Sequence, residues 1–597
     1  MSSSISEREI AFILFEMLNT ESLLTRERYS THSRETFNAT LDTARHIAEK
    51  YFANHNVKGD ANEPTFDGKR ASVIPETKEA WQHFSSAGFL AAHYDFEEDG
   101  MQLPEAVLRG AMALFFAANI SSGAYPLLTI GVANLIHAFG NQAQKDLYLP
   151  LLISGQCTGT MCLTEPDQGS ALADIKTTAR KCDDGTYRIT GNKVFISGGD
   201  QNITDNIIHM VLAKIEGAPP GAKGISMFIC PKFLVNEDGT YGDKNDIALA
   251  GLFHKMGYRN TTSTALNFGE NDGAIGFLVG EPHHGLSYMF QMMNEARIAV
   301  GLGASALGYR GFQASLGYAR DRKQGRLPSD KNPESPQVRL VEHADIRRML
   351  LAQKAFAEGS LAMCLYASSL HEDTKTAETE EERKKALELL NLLTPMVKSW
   401  PSKYSLVAND YAIQILGGAG YTREYPVEQF WRDNRLNPIH EGTEGIHGLD
   451  LLGRKASTPG FRYFLDAVSE TVAATKDYQQ CSVLAAALEN SCKSLEKVTQ
   501  CLLDAKKESV DLALANATIY LDVFGNIFAA WIWLRQAAIA EEALKQASLT
   551  EQEENYYRGK IETARYFYNW ELPQIAPKIS LLSNLDSVTL DMKDEWF

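Results

Sequence analysis

One block of strand-like sequence sits inside a chain that otherwise keeps a helical period, and this arrangement restricts the fold more than any other feature. Apolar residues recur at helical spacing through residues 1–155. Between about 160 and 280 the pattern changes to short runs rich in β-branched and apolar residues: Tyr187-Arg188-Ile189-Thr190, Val194-Phe195-Ile196, 207–214, 225–230 and 264–268. Turn residues separate them, as in Asp183-Asp184-Gly185 and Gly198-Gly199-Asp200. Such punctuation predicts an antiparallel β domain of barrel or sandwich type. After Gly285 the helical period returns and holds to about Lys455; Ser457-Thr458-Pro459-Gly460 marks a boundary, and more helices follow. The expected class is α+β, mostly α. It comprises an N-terminal helical domain (1–158), a central β domain (159–283), a helical bundle (284–456) and an additional helical C-terminal domain (461–597) with a less regular tail. Several domains are expected of 597 residues, because single cores stop growing near ~250–300.

Charge narrows the function classes. The net charge is −17, with no local basic stripe, which argues against nucleic-acid binding. The eight cysteines show no CxxC and share no spacing with histidines, so free thiols in a reducing compartment are expected rather than a disulfide framework or zinc site. Glu7, Arg8 and Glu9 precede a short apolar run, which reads as an amphipathic first helix and not a signal or transit peptide. Residues 111–144 carry no charged side chain, long enough to span a bilayer. Asn119, Ser121, Ser122, Gly123, Pro126, Asn134 and His137 interrupt them, which fits two buried helices around the Ser-Ser-Gly turn. No transmembrane segment is expected, and the protein reads as cytoplasmic. The charge run 378–385 reads as a solvated helix end or inter-helix loop.

Two motifs fail on context. Gly301-Leu302-Gly303-Ala304-Ser305-Ala306 fits GxGxxA with Asp321 about twenty residues on, but no buried strand precedes it and a helix continues through it. His440-Glu441 with His447 places the second histidine at i+7, so both rings cannot share a metal on one helical face. No metal site is expected.

Four segments carry chemistry. Thr164-Glu165-Pro166-Asp167-Gln168-Gly169-Ser170 is a loop whose backbone and hydroxyls suit a polar ligand, and Lys193-Val194-Phe195-Ile196-Ser197-Gly198 is a strand running into a glycine turn. Arg322-Lys323-Gln324-Gly325-Arg326 closes a helix with cations suited to phosphate. Gln414-Ile415-Leu416-Gly417-Gly418-Ala419-Gly420-Tyr421 precedes Glu441-Gly442-Thr443, where a carboxylate stands on a glycine-flanked loop. With water excluded and its pKa raised, such a carboxylate can take a proton from carbon.

In this order the segments resemble the acyl-CoA dehydrogenase family over residues 80–455, supported by Lys255-Met256-Gly257-Tyr258-Arg259 and Asn294-Glu295-Ala296-Arg297; the region after 460 resembles the family's long subclass. The resemblance implies FAD, with Leu163, Thr164, Gly169, Ser170, Phe195, Ile196 and Ser197 at the flavin ring. Arg322, Gln414, Gly417 and Gly418 would hold the pyrophosphate and adenosine part, some across a homodimer or dimer of dimers, and Thr443 would also face FAD. Ser170, Asn294, Arg297 and Gly442 correspond to acyl-CoA contacts, and Glu441 to the catalytic base. Phe195 and Ser197-Gly198 stand where many relatives have Trp and Thr-Asn, His343-Ala344 where many have His-Gln, and Glu444 where a small residue is usual. The implied reaction is α,β-dehydrogenation of a fatty acyl-CoA to a trans-2-enoyl-CoA in β-oxidation, with electrons passing to an electron-transfer flavoprotein. An oxygen-using acyl-CoA oxidase and a DNA-associated flavoprotein are the alternatives. Residues 461–597 hold 13 Lys and Arg against 20 Asp and Glu, net −7, which weighs against the last.

Overall fold

The computed structural model describes residues 4–597; the first three residues of the N-terminal stretch lie outside it. The chain forms two compact units. One comprises Glu35–Leu103 and Leu114–Ala296, the other the N-terminal segment up to Arg34, Pro104–Ala113 and Arg297–Phe597.

The uncharged stretch is helical, in α1 (Glu105–Ala118) and α2 (Ile120–Phe139), but the break falls at Asn119 rather than at Ser121-Ser122-Gly123. Asn119 is the N-cap: its side-chain oxygen accepts the Ser122 N–H at 3.1 Å, so the serines lie in the first turn of α2. A buried network then ties α2 to the loop holding Asn260. His55 Nε2 meets Ser122 Oγ at 2.7 Å, and the Asn260 amide donates to Ser122 Oγ (3.1 Å) and Thr77 Oγ1 (2.8 Å). Asn54 stands 2.8 Å from His55 Nδ1, which gives the outline of a hydrolase triad. His55 and Ser122 are buried, Ser122 is committed to Asn260, and burial pushes His55 down to about 4, so the cluster is a structural tie.

The β region follows as β1 (Cys157–Cys162), β2 (Thr178–Lys181), β3 (Tyr187–Ser197), β4 (Asn206–Ile215), β5 (Ile225–Pro231), β6 (Ile247–Leu252), β7 (Ser263–Phe268) and β8 (Ala274–Leu278). The pairings β3–β8–β5–β4–β2–β3 close a ring, with β1 added beside β4 and the β7–β6 pair beside β3. Pairing is antiparallel except where β4 meets β1 and β2. The two runs read separately at 187–190 and 194–196 are one strand. Lys193, a charge at a buried position, interrupts its apolar pattern.

The second unit is helical. It contains most of α3 (Gly285–Asp321), then α4 (Ala344–Thr376), α5 (Glu380–Leu416), α6 (Val427–Asn434) and α7 (Glu444–Asp450). Gly301 to Ala306 lie inside α3, in keeping with the rejected dinucleotide motif. The charge run starts α5, where Thr379 and Glu382 form a reciprocal cap and three glutamates fill the first turn.

Helix α8 (Ala517–Ala543) is long and apolar enough to cross a membrane, yet 89% of its most apolar window is buried inside the protein. Trp533 at its centre donates to the Ala355 carbonyl of α4 at 3.1 Å. Helix α9 (Glu551–Tyr566) contributes Lys560, fully buried, which bonds Glu9 at 2.5 Å, Glu358 at 2.8 Å and Gln536 at 2.9 Å. One ammonium thus ties the first helix of the chain to α4 and α8. All eight cysteines are free.

Candidate active site

In the β unit two separate motifs converge through Lys193 and Glu165. Both are buried, and their charged groups meet at 2.9 Å. The Lys193 ammonium also donates to the Leu163 carbonyl at 3.0 Å, and Val194 N–H to the Thr164 carbonyl at 3.0 Å. Glu165 accepts further from Lys176 N–H (2.6 Å), Thr177 N–H (3.0 Å) and Thr177 Oγ1 (2.5 Å). Burial opposes the charge on Glu165, but Lys193 and these donors hold its carboxyl below the usual range. The loop 163–170 is therefore pinned from beneath, while Gly169 and Ser170 stay exposed and Leu163 and Thr164 half-buried.

The strand beside it carries a β-bulge. Thr264 pairs with Ile196 and Leu266 with Lys193, so β3 holds one residue more than β7 across this interval. The bulge puts Phe195 at φ +57° and leaves it 62% exposed. Its ring lies 4.4 Å from that of Phe253, an aromatic partner that the motif reading missed because it stands in no recognisable pattern. Ile196 turns into the β core, and Ser197 is half-buried, its carbonyl accepting from Thr160 Oγ1 at 2.5 Å. Of the three strand positions, Phe195 and Ser197 present side chains outward and Ile196 does not. Asn294 is half-buried on α3.

In the helical unit Glu441 stands at φ +53°, followed by Gly442 at φ +99°. The loop reaching it is held by a ladder of buried amides. Asn409 donates to the Leu307 carbonyl (2.9 Å), Asn434 to Asn409 (2.7 Å) and Asn437 to Asn434 (2.9 Å), and Asn437 meets His440 Nε2 at 3.1 Å. No sequence signal announces this ladder, since its members are scattered over three segments.

Glu441 is exposed to solvent, while the protein packed around its carboxyl is dense enough to desolvate it. Burial pushes it above the ordinary carboxylate range; Lys398 and Arg297 pull it back part of the way. Lys398, fully buried on α5, donates to the Gly442 carbonyl at 2.6 Å. Arg297 is buried and paired through Nη1 with Asp450 at 2.9 Å, while its buried Nε has no partner among the described residues. Burial pushes His440 down to about 3, helped by Lys398, and His447 well below its usual value, so both are neutral.

The remaining motif residues of this unit are open. Arg322, Gln414, Gly417 and Gly418 are exposed, and a Cβ added at Gly417 or Gly418 would meet nothing within 4 Å. Thr443 is the exposed N-cap of α7, and its hydroxyl makes no capping bond.

Gly442 is the one position here where glycine is demanded twice. An added Cβ would stand 2.9 Å from His447 Nε2, and φ +99° disfavours any L side chain. Gly442→Ala is expected to cost ~1–2 kcal/mol of backbone strain. It should also lower turnover about 100-fold by displacing Glu441, since ~1 Å of misplacement has that effect. Thermal denaturation and steady-state kinetics check it; unchanged kinetics would show that the turn tolerates movement.

Family models match in chain order: acyl-CoA dehydrogenase N-terminal domain (34–156), middle domain (160–270), C-terminal domain (283–455), and acetyl-CoA dehydrogenase C-terminal like (464–593). The 3-methylmercaptopropionyl-CoA dehydrogenase of Ruegeria pomeroyi is 34% identical over 97% of both chains. A broad-specificity linear acyl-CoA dehydrogenase of Mycobacterium tuberculosis is 32% identical over 99% of both, and a butyryl-CoA dehydrogenase of Syntrophomonas wolfei 30% identical over 99% of this chain and 98% of its own. The fold is shared with Caenorhabditis elegans ACDH-11 in complex with C11-CoA (TM-score 0.75, 19% identity, 99% of this chain and 92% of that one). It is shared too with an FAD-complexed acyl-CoA dehydrogenase of Bacillus anthracis (TM-score 0.74, 20% identity, 95% and 90%). With four domains matched in order and relatives alike along their full length, the chain belongs to the acyl-CoA dehydrogenase family of FAD-dependent oxidoreductases.

Proposed function

We propose that the protein removes hydrogen across Cα–Cβ of unbranched acyl-CoA thioesters, giving trans-2-enoyl-CoA, and passes the electrons to an electron-transfer flavoprotein in cytoplasmic fatty-acid β-oxidation. The observation that carries this reading is Glu441: a carboxyl raised by burial, on a left-handed turn braced by Lys398. Helix α2 lends support on the substrate side. Ala124, Leu127, Leu128 and Gly131 form an accessible, uncharged stripe on an otherwise mostly buried helix, suited to an unbranched acyl chain. The full-length relatives are named for 3-methylmercaptopropionyl-CoA, for linear acyl-CoA and for butyryl-CoA.

The residues present fit FAD. The outward Phe195 ring, the Thr164, Ser170 and Ser197 hydroxyls and the Leu163 and Gly169 backbone suit a flat polar ring. The open backbone at Gly417 and Gly418, with exposed Arg322 and Gln414, suits pyrophosphate and adenosine. Thr443 has a spare hydroxyl for the same group. FAD, when bound, supplies the hydride acceptor. The Glu441 N–H, which pairs with no backbone carbonyl among the described residues, is the proposed donor to the thioester oxygen, where it would acidify the α carbon. The Glu441 carboxylate takes the α proton as hydride leaves the β carbon. Asn294, Ser170 and Gly442 are the proposed acyl-CoA contacts, and the working species is a homodimer or a dimer of dimers.

Purified protein should be yellow and should bleach anaerobically with one or more straight-chain acyl-CoAs. A colourless protein that cannot be reconstituted with FAD would sink the reading. Near-stoichiometric peroxide per turnover in air would assign the oxidase alternative instead.

The base must be ionised to act, and burial holds it above the ordinary range. Turnover is therefore expected to fall with acid through a midpoint above the ~4.3 of free glutamate. A kcat profile flat down to that value would reassign the base.

A further inference from the structure

Lys398 has an environment that neither the motifs nor the dehydrogenation chemistry calls for. It sits between Pro395 and Pro401, helix-interior prolines that break the hydrogen-bond ladder of α5 on either side. It is fully buried, and its one hydrogen bond to the loop is to the Gly442 carbonyl. Among the described residues no carboxylate contacts it directly. A neutral donor could hold a carbonyl equally well and at far less cost in desolvation. The charge therefore has a use beyond the bond.

The groups that face Lys398 show what that use is. Glu441, on the loop, and Glu444, on α7, both favour its charge, and Arg297, on α3, opposes it. His440 and His447 feel it too, and both are neutral. The ammonium thus counters the burial of Glu441 together with Arg297, which shares the single carboxylate of Asp450 with Arg454 and Lys455.

We propose that Lys398 is a positioning residue for the base: through its bond to Gly442 it fixes the left-handed Glu441–Gly442 turn, and through its charge it keeps Glu441 ionised at working pH. This rests on Glu441 being the base. Burial brings Lys398 itself to about 7, so the bracing cation is strongest in neutral to acid solution, where Glu441 would otherwise take a proton.

The proton step can be isolated with 3-thia-acyl-CoAs, whose sulfur replaces the β carbon and leaves no hydride to lose. α-Hydrogen exchange into 3-thiabutanoyl-CoA and 3-thiaoctanoyl-CoA in D2O is read by mass across pH, using FAD-loaded wild type, Glu441→Gln, Lys398→Met and Lys398→Arg. Wild type should exchange at least one analogue and Glu441→Gln neither. Equal exchange by both, or none by wild type, would remove the base reading and this proposal with it. With that reading standing, Lys398→Met should move the pH midpoint up by about one to three units, the effect of losing an opposite charge nearby. Exchange at neutral pH should then fall about tenfold or more, with analogue affinity within about threefold of wild type. Lys398→Arg keeps the charge and should restore the midpoint to within about half a unit, with a lower plateau because the longer head cannot meet Gly442 alike. An unshifted midpoint in Lys398→Met overturns the proposal. If that variant fails to fold, a midpoint in Lys398→Arg shifted by about a unit or more overturns it.

Discussion

Replacing Glu441 by glutamine is expected to lower turnover about 10⁴-fold, at the upper end for loss of a general base, while FAD content and acyl-CoA affinity stay near wild type. Glutamine keeps the shape and the backbone N–H but cannot accept a proton from carbon. The substitution should also fold well. Glu441 helps to hold Lys398 charged, and without it burial will leave Lys398 neutral, already poised near 7. No uncompensated charge then remains beneath the loop, so the melting temperature should change by less than about 1 °C, which is ~1 kcal/mol for a chain of this size.

The control is Glu444→Gln. Glu444 opens α7, one turn beyond Glu441, and the two carboxylates share Lys398 as an electrostatic neighbour. A turnover loss below about threefold, against the 10⁴-fold loss above, would separate the base from its neighbour. Comparable losses in the two variants would mean that the pair titrates as a unit, and the single-base assignment would have to be withdrawn.

Much of this was legible in the sequence because it depends on local pattern. The period change near residue 160 and its return at Gly285 placed the β region and the long helices, and the cap at Thr379 explains the charge run. What escaped depends on contacts between distant residues. Lys193, at the head of the second run, carries no sign of burial in the sequence because its partner, Glu165, lies 28 positions away. The bulge that turns Phe195 outward is a difference in count between paired strands, invisible in either strand alone. Asn409, Asn434 and Asn437 are three ordinary polar residues until they stack, and Lys398 reads as one more helix cation. The break at Asn119 was misplaced by a local ambiguity: Ser-Ser-Gly is a good turn, but an asparagine before it is a better cap.

The C-terminal residues have a bearing on the base as well. Gly448 of α7 lies so close to the start of α8 that an added Cβ would stand 2.7 Å from the Ala517 backbone. The helix that follows Glu441 is thus wedged against the core helix of the added region, which itself is bonded to α4 through Trp533. Residues 461–597 thus pack behind the Glu441 loop through α8.

The largest stability effect is expected at Lys193. Lys193→Met leaves Glu165 buried without its cation, and breaking a buried pair from one side costs ~3–5 kcal/mol. The loss should show as a fall in melting temperature and, more sharply, in FAD per chain, because the Leu163 carbonyl loses its donor and the loop 163–170 its anchor. Lys193→Met combined with Glu165→Leu separates the two effects. With both charges gone the desolvation cost disappears, and much of the stability should return. The N–H groups of Lys176 and Thr177 then lack their acceptor, and among the described residues the Val194 bond is the hydrogen bond left between Leu163-Thr164 and β3. FAD content should therefore stay low in the double variant although the fold has recovered. If FAD content returns with stability, the pair serves the core alone. If Lys193→Met already keeps both, the convergence of the two motifs has some other cause.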